Sequence, residues 1–281
     1  MKTSKIKVKT RFSDLDTQRH VTSRTYEDFF LEGRMLQLFE LGISKDELLN
    51  SRNQFLTEKF KIFFSKEQGL HSELDIISKL EINDKHELFW IQEAFETGTD
   101  TKVCVSKTKG KFLQEIPIFN LSPPNSIDEQ SSFKEIEHFS KSCDQISREM
   151  FMLFSDRGMF YEYNNSSLLR LLEESRWIFS QEIGLTEKLI HELDTITFFM
   201  GVDLKVTRIP FSGEKLLTKV WIHKIEKFRL YMRIDILRES DGEVLISAIE
   251  EQLIVSLSKR RPRKANDLFI EKVQKFIEYP N

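Results

Sequence analysis

The strongest constraint on the fold of this chain is an internal repeat. The tripeptide Phe12–Asp14 recurs as Phe154–Asp156, so the offset between copies is 154 minus 12, or 142 positions. The same offset lays residues 40–44, ELGIS, on residues 182–186, EIGLT, and it also aligns Arg34 with Arg176. A match without gaps over this distance predicts two copies of one structural unit.

Each copy then shows the apolar pattern of an amphipathic helix. The first pattern, expected over residues 26–41, has apolar or small residues three or four positions apart, at Tyr26, Phe29, Phe30, Gly33, Leu36 and Phe39. The second, over residues 168–183, has them at Leu168, Leu171, Leu172, Ser175 and Ile178. The small residues in mid-face, Gly33 and Ser175, predict that another backbone approaches the helix closely.

Strand patterns follow each helix. Apolar residues alternate at positions 60, 62 and 64 in the first copy and at positions 202, 204 and 206 in the second. Later alternating runs, over residues 88–95 and 230–236, end at turns that contain Gly98 and Gly242. Each copy therefore predicts a strand, one long helix and about four further strands.

These patterns predict an α+β chain of two tandem units, each an antiparallel sheet wrapped around a long central helix. The units are expected at residues 1–115 and 147–258, with a polar, proline-containing linker over residues 116–146. Residues 259–281 are expected to form a basic turn and a closing helix that Asn266 caps.

Composition and charge exclude several classes of protein. The net charge of −3 over 281 residues gives no general attraction to nucleic acid or to anionic lipid. No apolar run approaches the roughly 18 residues of a spanning helix, so no membrane anchor or signal peptide is expected. Two isolated cysteines, Cys104 and Cys143, favour a reducing, cytoplasmic compartment, and the scattered histidines predict no metal site.

The most specific motif spans residues 11–26, which read RFSDLDTQRHVTSRTY. This stretch closely resembles the Asp-x-Asp-x-x-Gly-His-Val-Asn-Asn-x-x-Tyr signature that opens the helix of hot-dog-fold acyl thioesterases. Its Ser-Asp-Leu-Asp start is similar to that of acyl-acyl carrier protein thioesterases. The chain as a whole resembles tandem hot-dog proteins of that kind and 4-hydroxybenzoyl-CoA thioesterase-like proteins. The resemblance implies hydrolysis of an acyl thioester of coenzyme A or acyl carrier protein, without a cofactor.

The resemblance also implies one catalytic centre at the start of the first helix. The family's catalytic aspartate falls on Asp16, and the histidine that accompanies it falls on His20. The expected substrate-binding residues are Gln18, Val21, Thr22, Ser23 and Tyr26. The chain departs from the signature where Arg19 replaces glycine or glutamine, Thr22 and Ser23 replace two asparagines, and Gln18 replaces another. The motif also lies in the first unit, whereas tandem carrier-protein enzymes generally keep it in the second.

These residue types fit the chemistry of thioester hydrolysis. The reaction needs a base or nucleophile near the carbonyl carbon and hydrogen-bond donors where charge develops on oxygen. Asp16 can supply the first, and the free backbone N–H groups of a helix that begins near Thr22 can supply the second. His20 would orient water or pair with Asp16. The alternative for Asp14 and Asp16 is a pair of loop carboxylates without a catalytic role.

The second copy provides an internal comparison. The offset places Gly158 opposite Asp16 and Glu162 opposite His20, and it places Asn164 and Asn165 opposite Thr22 and Ser23. The second copy therefore keeps the helix-opening asparagines and lacks the acid. We expect one competent centre per chain, with the second unit as the wall that a partner supplies in single-unit dimers. Further homodimerisation is left open.

Two other features admit a functional interpretation. Glu58 shares strand parity with Phe60 and Ile62, near where some relatives place a third polar residue, and is a candidate catalytic carboxylate. A shift of the strand register by one residue is the alternative. The basic run over residues 259–264 is expected either to meet the phosphates of coenzyme A or an acidic carrier protein, or to be a solvated turn.

Thioester hydrolysis is the leading functional hypothesis. A non-catalytic acyl-binding or scaffold protein with a decayed site is the first alternative, because Arg19, Thr22 and Ser23 depart from the signature. A hydratase of the same fold is the second. Hydratases place their acid and histidine in a different local pattern from the four-residue step between Asp16 and His20.

Overall fold

The chain divides into two units built mainly of antiparallel strands, with few helices. In the computed structural model the first unit comprises residues 1–134 and 153–170, and the second comprises residues 135–152 and 171–281. The structure describes residues 2–50, 54–83, 87–114, 132–136, 143–158 and 163–279.

Five strands form the sheet of the first unit. They are β1 (Lys2–Lys9), β2 (Phe55–Phe64), β3 (Glu73–Ile82), β4 (Leu88–Glu96) and β5 (Lys102–Phe112). Their spatial order is β1, β3, β4, β5, β2, and every neighbouring pair is antiparallel. The predicted alternation in β2 is confirmed, since Phe60 and Ile62 are fully buried.

The sheet of the second unit repeats this arrangement. Its strands are β6 (Ile146–Phe151), β7 (Ile196–Val206), β8 (Lys215–Glu226), β9 (Arg229–Arg238), β10 (Val244–Ser256) and the short β11 (Arg261–Pro262). The order is β7, β10, β9, β8, β6, with β11 paired to β10. The predicted run in β9 is confirmed, because its alternating residues Leu230, Met232, Ile234 and Ile236 are all buried.

The helices keep the repeat. They are α1 (Ser23–Glu40), α2 (Lys45–Asn50), α3 (Asn165–Glu182), α4 (Glu187–Leu193) and α5 (Asp267–Val273). The long helices α1 and α3 have 18 residues each, and their first residues are 165 minus 23, or 142, positions apart. Both helices begin three residues before the start of the apolar pattern, because the first turn is polar, and α1 begins next to Thr22, as the motif predicts.

Both long helices also end in the same way. Gly42 and Gly184 have positive φ angles of 99° and 69°, which a residue without Cβ adopts at little cost. In the first copy the N–H of Ile43 donates to the carbonyl of Leu38, at 3.2 Å, which is the bond of a Schellman motif. The repeated glycine in the sequence is therefore a helix terminator in both copies.

A small residue in the middle of each long helix lets it approach its sheet, as the sequence predicts. A Cβ at Gly33 would lie only 2.7 Å from Oγ of Ser78 on β3. In the second unit the corresponding Ser175 lies 2.8 Å, Oγ to Oγ1, from Thr218 on β8. Between α1 and the first sheet lies an apolar core that includes Met35, Leu38, Leu80, Leu88, Trp90 and Phe112.

The closing helix α5 is present with its predicted cap. The side-chain oxygen of Asn266 accepts the N–H of Phe269 at 2.7 Å. Phe269 and Val273 are buried, so the apolar face of α5 packs inward.

Gly33→Ala tests the close approach of α1 to β3. Glycine to alanine in a helix interior ordinarily stabilises by up to about 1 kcal/mol. Here the added methyl group collides with Ser78, and we expect Gly33→Ala to lower the free energy of unfolding by about 1–2 kcal/mol, as overpacking does. Urea denaturation measures the change.

The control for Gly33→Ala is the same substitution in a Ser78→Ala background, which lacks the oxygen 2.7 Å from the new methyl group. We expect the loss to be smaller there, giving a favourable coupling in the double-mutant cycle. Strict additivity of the two losses would contradict a collision at this point.

Candidate active site

Asp16 closes the loop that leads into α1. Its Oδ1 accepts the backbone N–H groups of Gln18, at 2.8 Å, and His20, at 3.0 Å. Its own N–H donates to the carbonyl of His20 at 2.9 Å, and Leu15 and Val21 pair beside it as an isolated antiparallel bridge. The loop brings Asp16 and His20 together, and Asp16 is exposed to solvent.

Arg19 sits at the tip of this loop in a left-handed conformation. Its φ is 66°, and its N–H donates to the carbonyl of Asp16 at 3.0 Å. This conformation suits the glycine of the family signature and strains a residue with a Cβ by roughly 1–2 kcal/mol. The loop therefore keeps its shape despite the substitution.

His20 makes a contact that the sequence did not indicate. Its Nε2 lies 3.1 Å from Oε2 of Glu67, and about a quarter of the His20 side chain is exposed. Glu67 lies in the loop after β2, which the motif does not include. The neighbouring Gln68 fixes the same loop, since its carbonyl accepts the N–H of Val21 at 2.9 Å.

Thr22 caps the N-terminus of α1, as an asparagine at this position of the signature would. Its Oγ1 accepts the N–H of Thr25 at 3.1 Å, so it caps α1, and Ser23 is the first helical residue. In the second copy Oδ1 of Asn164 accepts the N–H of Ser167 at 3.1 Å, at the start of α3. The departure from the signature therefore preserves the helix start.

Tyr26, an expected substrate-binding residue, is buried and not open to solvent. Its ring packs edge-on against Phe64, with 5.1 Å between ring centres. Burial raises the pKa of Tyr26 far above its ordinary value. Its hydroxyl has no hydrogen-bond partner within the described ranges of the chain. Gln18, in contrast, is exposed, and its N–H is the group that bonds to Asp16.

Glu58 occupies an irregularity of β2. The pairing of β2 with β5 shifts register between Thr57 and Lys59, which is the register change expected as the alternative. The bulge takes Glu58 out of alternation with Phe60. Its carboxylate lies 3.7 Å from Nζ of Lys111 and 3.9 Å from Nζ of Lys109. These lysines, rather than an apolar face, surround the candidate carboxylate.

Asp14 and its counterpart Asp156 have the structural contacts of a repeated cap. Asp14 is buried and accepts the backbone N–H of Arg11 at 2.7 Å and the guanidinium of Arg11 at 3.0 Å. Asp156 accepts the backbone N–H of Leu153 at 2.8 Å and the guanidinium of Arg170. Of the second-copy residues compared with the motif, Glu162 lies outside the described residues.

The first unit also contains a buried polar network that the motif does not include. Glu27 and Arg34, both on α1, form an ion pair with almost no exposed surface. Arg34 also donates to Oε1 of Gln92 at 2.7 Å. Nδ2 of Asn165 donates to Oε1 of Glu27 at 3.0 Å, and Thr57 donates to Oδ1 of Asn165 at 2.7 Å.

The repeat of Arg34 as Arg176 was the one available signal for this network. Arg176 donates to Oε1 of Glu250 at 2.5 Å in the second unit, and Glu250 is fully buried. Burial raises the pKa of Glu250 and of Glu27, although each arginine acts in the opposite direction. Both units therefore keep the arginine, while the acid lies on the helix in one and on β10 in the other.

The basic run over residues 259–264 is partly structural and partly exposed. Arg263 of the basic run donates to the carbonyl of Asp194 at 3.1 Å, so part of the run holds a turn, while Arg260 and Arg261 are exposed.

Over the described residues, no cluster of three or more metal-ligating side chains is found. None of the helices described here is both long enough and apolar enough to cross a membrane.

Comparison with solved structures supports the fold over nearly the whole chain. A protein assigned as an oleoyl thioesterase from Lactobacillus plantarum superposes with a TM-score of 0.66 at 10% identity, covering 94% of this chain and 98% of that one. The 12:0-ACP thioesterase from Umbellularia californica gives a TM-score of 0.65 at 10% identity, covering 90% and 94%. An acyl-ACP thioesterase from Bacteroides thetaiotaomicron gives 0.60 at 10% identity, covering 89% and 97%.

These likenesses confirm, at the level of fold, the resemblance to hot-dog thioesterases that residues 11–26 indicated. At such low identity they show the fold alone. No protein-family model and no curated protein matches the chain.

The environment of Asp14 predicts a specific dependence of stability on pH. Burial acts to raise the pKa of Asp14, but the hydrogen bonds from Arg11 outweigh it and the pKa is lowered below 3.8. A carboxyl with a lowered folded-state pKa contributes stability above its unfolded pKa and loses it as the pH falls through the folded pKa. We expect Asp14→Asn to be less stable than wild type at pH 7, with the difference shrinking below about pH 4.

Urea denaturation from pH 7 downward measures this difference in the free energy of unfolding. Arg11→Gln is the matched control, because it removes the donor and should reduce the same pH-dependent part. A difference that stays constant through the acid range would assign the effect of Asp14→Asn to packing alone.

Proposed function

We propose that the protein hydrolyses an acyl thioester of coenzyme A or acyl carrier protein at one centre around Asp16 and His20. The observation that carries this proposal is the closed loop at the start of α1, in which Asp16 and His20 are bonded to each other through the backbone. That loop carries the thioesterase-like motif in a chain with the fold of solved thioesterases.

In the proposed reaction Asp16 acts as the general base. It takes a proton from a water molecule as the water oxygen bonds to the thioester carbon. The negative charge that develops on the carbonyl oxygen is stabilised by N–H groups in the first turn of α1, which have no carbonyl partner within the helix. The carbon–sulfur bond then breaks, and the proton passes to the departing thiolate. The products are the acid and the free thiol.

His20 and Glu67 have a positioning role in this proposal. The contact between Nε2 of His20 and Glu67 fixes the orientation of the imidazole, which can then orient the attacking water. Of the other residues of the motif, Val21 and Tyr26 are buried, whereas Gln18 is exposed and Ser23 is partly exposed, so Gln18 and Ser23 are the ones proposed to meet the substrate. Glu58, the candidate third carboxylate, is assigned no step in this reaction, since its described partners are Lys109 and Lys111.

The tandem hot-dog arrangement is part of the same proposal. The two copies, over residues 1–115 and 147–258, would each form a sheet around α1 or α3, with residues 116–146 as the linker. The second copy, with Gly158 where the first has Asp16, would not form a second centre. The protein would act in the cytoplasm without a cofactor.

The exposed part of the basic run is a candidate contact for the phosphates of the carrier. Because Arg263 is bonded to Asp194, the test uses Arg260→Gln with Arg261→Gln and leaves the turn intact. We expect KM for a coenzyme A or carrier-protein thioester to rise several-fold with kcat unchanged. Added salt should imitate the change. Unchanged kinetics would make the run a solvated turn.

One observation favours a second candidate function. Oδ1 of Asp16 already accepts two backbone N–H groups, as a loop cap does. If this is its only role, the protein binds acyl groups without cleaving them. A hydrolysis screen over short, long and aromatic acyl thioesters of both carriers distinguishes the two functions, since inactivity throughout favours the binding protein.

Asp16→Asn is the decisive substitution. Asparagine keeps an oxygen that can accept both loop N–H groups, so the loop should persist, but it cannot take a proton from water. We expect kcat to fall by at least about a hundredfold with little change in thermal stability. His20→Ala should cause a smaller loss, because it removes only an orienting group.

Asp14→Asn is the control for Asp16→Asn, because Asp14 is bonded to Arg11 as a structural cap. It should lose stability and keep its turnover per folded molecule. Turnover near that of wild type in Asp16→Asn would overturn the assignment.

A further inference from the structure

A pocket in the first unit shares no lining residue with the loop of Asp16. Its lining includes the aromatic residues Phe55, Trp90 and Phe112 and the polar residues Arg34, Thr57 and Asn165, which we call the polar wall. Its volume is about 30 Å³, enough for one or two water-sized groups. The pocket therefore offers a small polar niche within an apolar surrounding.

The polar wall is built from side chains that are themselves buried. Arg34, Thr57 and Asn165 are each at least nine-tenths buried, and each is held by a described hydrogen bond to the network around Glu27. Stacking of Arg34 on the ring of Trp90, at 6.0 Å, fixes it further. These groups are positioned before any ligand arrives.

One acceptor of this network is unsatisfied. Oε2 of Glu27 is buried and accepts no hydrogen bond from the part of the chain that the structure describes. Leaving a buried acceptor unpaired costs about 1–3 kcal/mol, and more for a charged group. Glu27 is bonded to two residues that line the pocket, Arg34 and Asn165. Glu27 does not line the pocket itself, and it fixes the two residues that do.

The charge of the polar wall limits which chemical group of a ligand fits the pocket. Arg34 and Glu27 neutralise each other, so the wall has no net charge to attract a carboxylate or an ammonium group. An unsubstituted alkyl end would desolvate the polar side chains and return no hydrogen bond. A neutral hydroxyl can both donate and accept, and it matches the volume of the niche.

We propose that the polar wall of Arg34, Thr57 and Asn165, backed by Glu27, selects acyl groups that carry a hydroxyl over unsubstituted acyl chains. The inference rests on the proposed thioesterase function, because it names the substrate class of that activity. Sites built to hydrogen-bond a substrate hydroxyl discriminate strongly against the analogue that lacks it.

The test measures binding without turnover. The probes are octanoyl-pantetheine analogues in which an amide replaces the thioester, either unsubstituted or with one hydroxyl at a defined carbon. Calorimetric titration of the full chain gives Kd for each. We expect at least one hydroxylated isomer to bind about tenfold tighter than the unsubstituted probe. If no hydroxylated isomer binds tighter, the niche holds water only and the proposal is overturned.

The key variant removes both charges together, as Glu27→Leu with Arg34→Met, because removing one alone would leave a buried charge unpaired. The preference for the hydroxylated probe should disappear. The matched control is Glu250→Leu with Arg176→Met, the corresponding ion pair of the second unit, which should leave the preference unchanged. Loss of preference in both double variants would indicate a general structural effect and overturn the assignment.

Thr57→Val provides a second measurement should the double variant fail to fold. It keeps the shape of the side chain and removes the hydroxyl that bonds to Asn165. We expect the preference to fall several-fold, and an unchanged ratio would contradict the proposal. Because binding is measured on uncleavable probes, absence of hydrolysis by wild type would remove the proposed function without deciding this inference.

Discussion

The burial of an arginine on the inner face of a long helix is the constraint on which much of this structure depends. Arg34 and Arg176 occupy corresponding positions, Arg34 buried and Arg176 partly buried, and each is paired with a fully buried carboxylate, Glu27 or Glu250. Removing the carboxylate from beside the buried Arg34 would leave an unpaired charge and be strongly destabilising. In the first unit the acid in turn holds Asn165, the first residue of α3. The arginine thereby organises the polar interior.

Two carboxylates in one short segment have different roles because their environments differ. Asp14 is buried and bonded to Arg11, which makes it part of the framework, and Asp156 repeats this role in the second copy. Asp16 is exposed, and in the described contacts only its Oδ1 accepts hydrogen bonds, which leaves its other oxygen for the catalytic role proposed above. The carboxylate repeated in both copies is structural, and the proposed catalytic carboxylate is the one present in the first copy alone.

Much of the fold could be predicted because it follows from local patterns. The 142-residue offset and the apolar spacing predicted both helices, and the repeated Gly42 and Gly184 prove to be their terminators. The apolar pattern alone placed the starts three residues late because the first turn of each helix is polar, whereas the motif placed the start of α1 correctly near Thr22. For the site, the loop of Asp16 and His20 was predictable from a compact motif, but Glu67 was not, because it is distant in sequence.

The sequence by itself determined the repeat, the two long helices, the alternating strands and the motif at residues 11–26, all of which depend on spacing along the chain. Only the tertiary structure decided that Glu58 lies in a bulge beside lysines, because register depends on the partner strand. Only it revealed the network of Glu27, Arg34 and Asn165. The hydrogen bonds to Asn165 join residues more than a hundred positions apart, and their strength depends on burial, which no local pattern records.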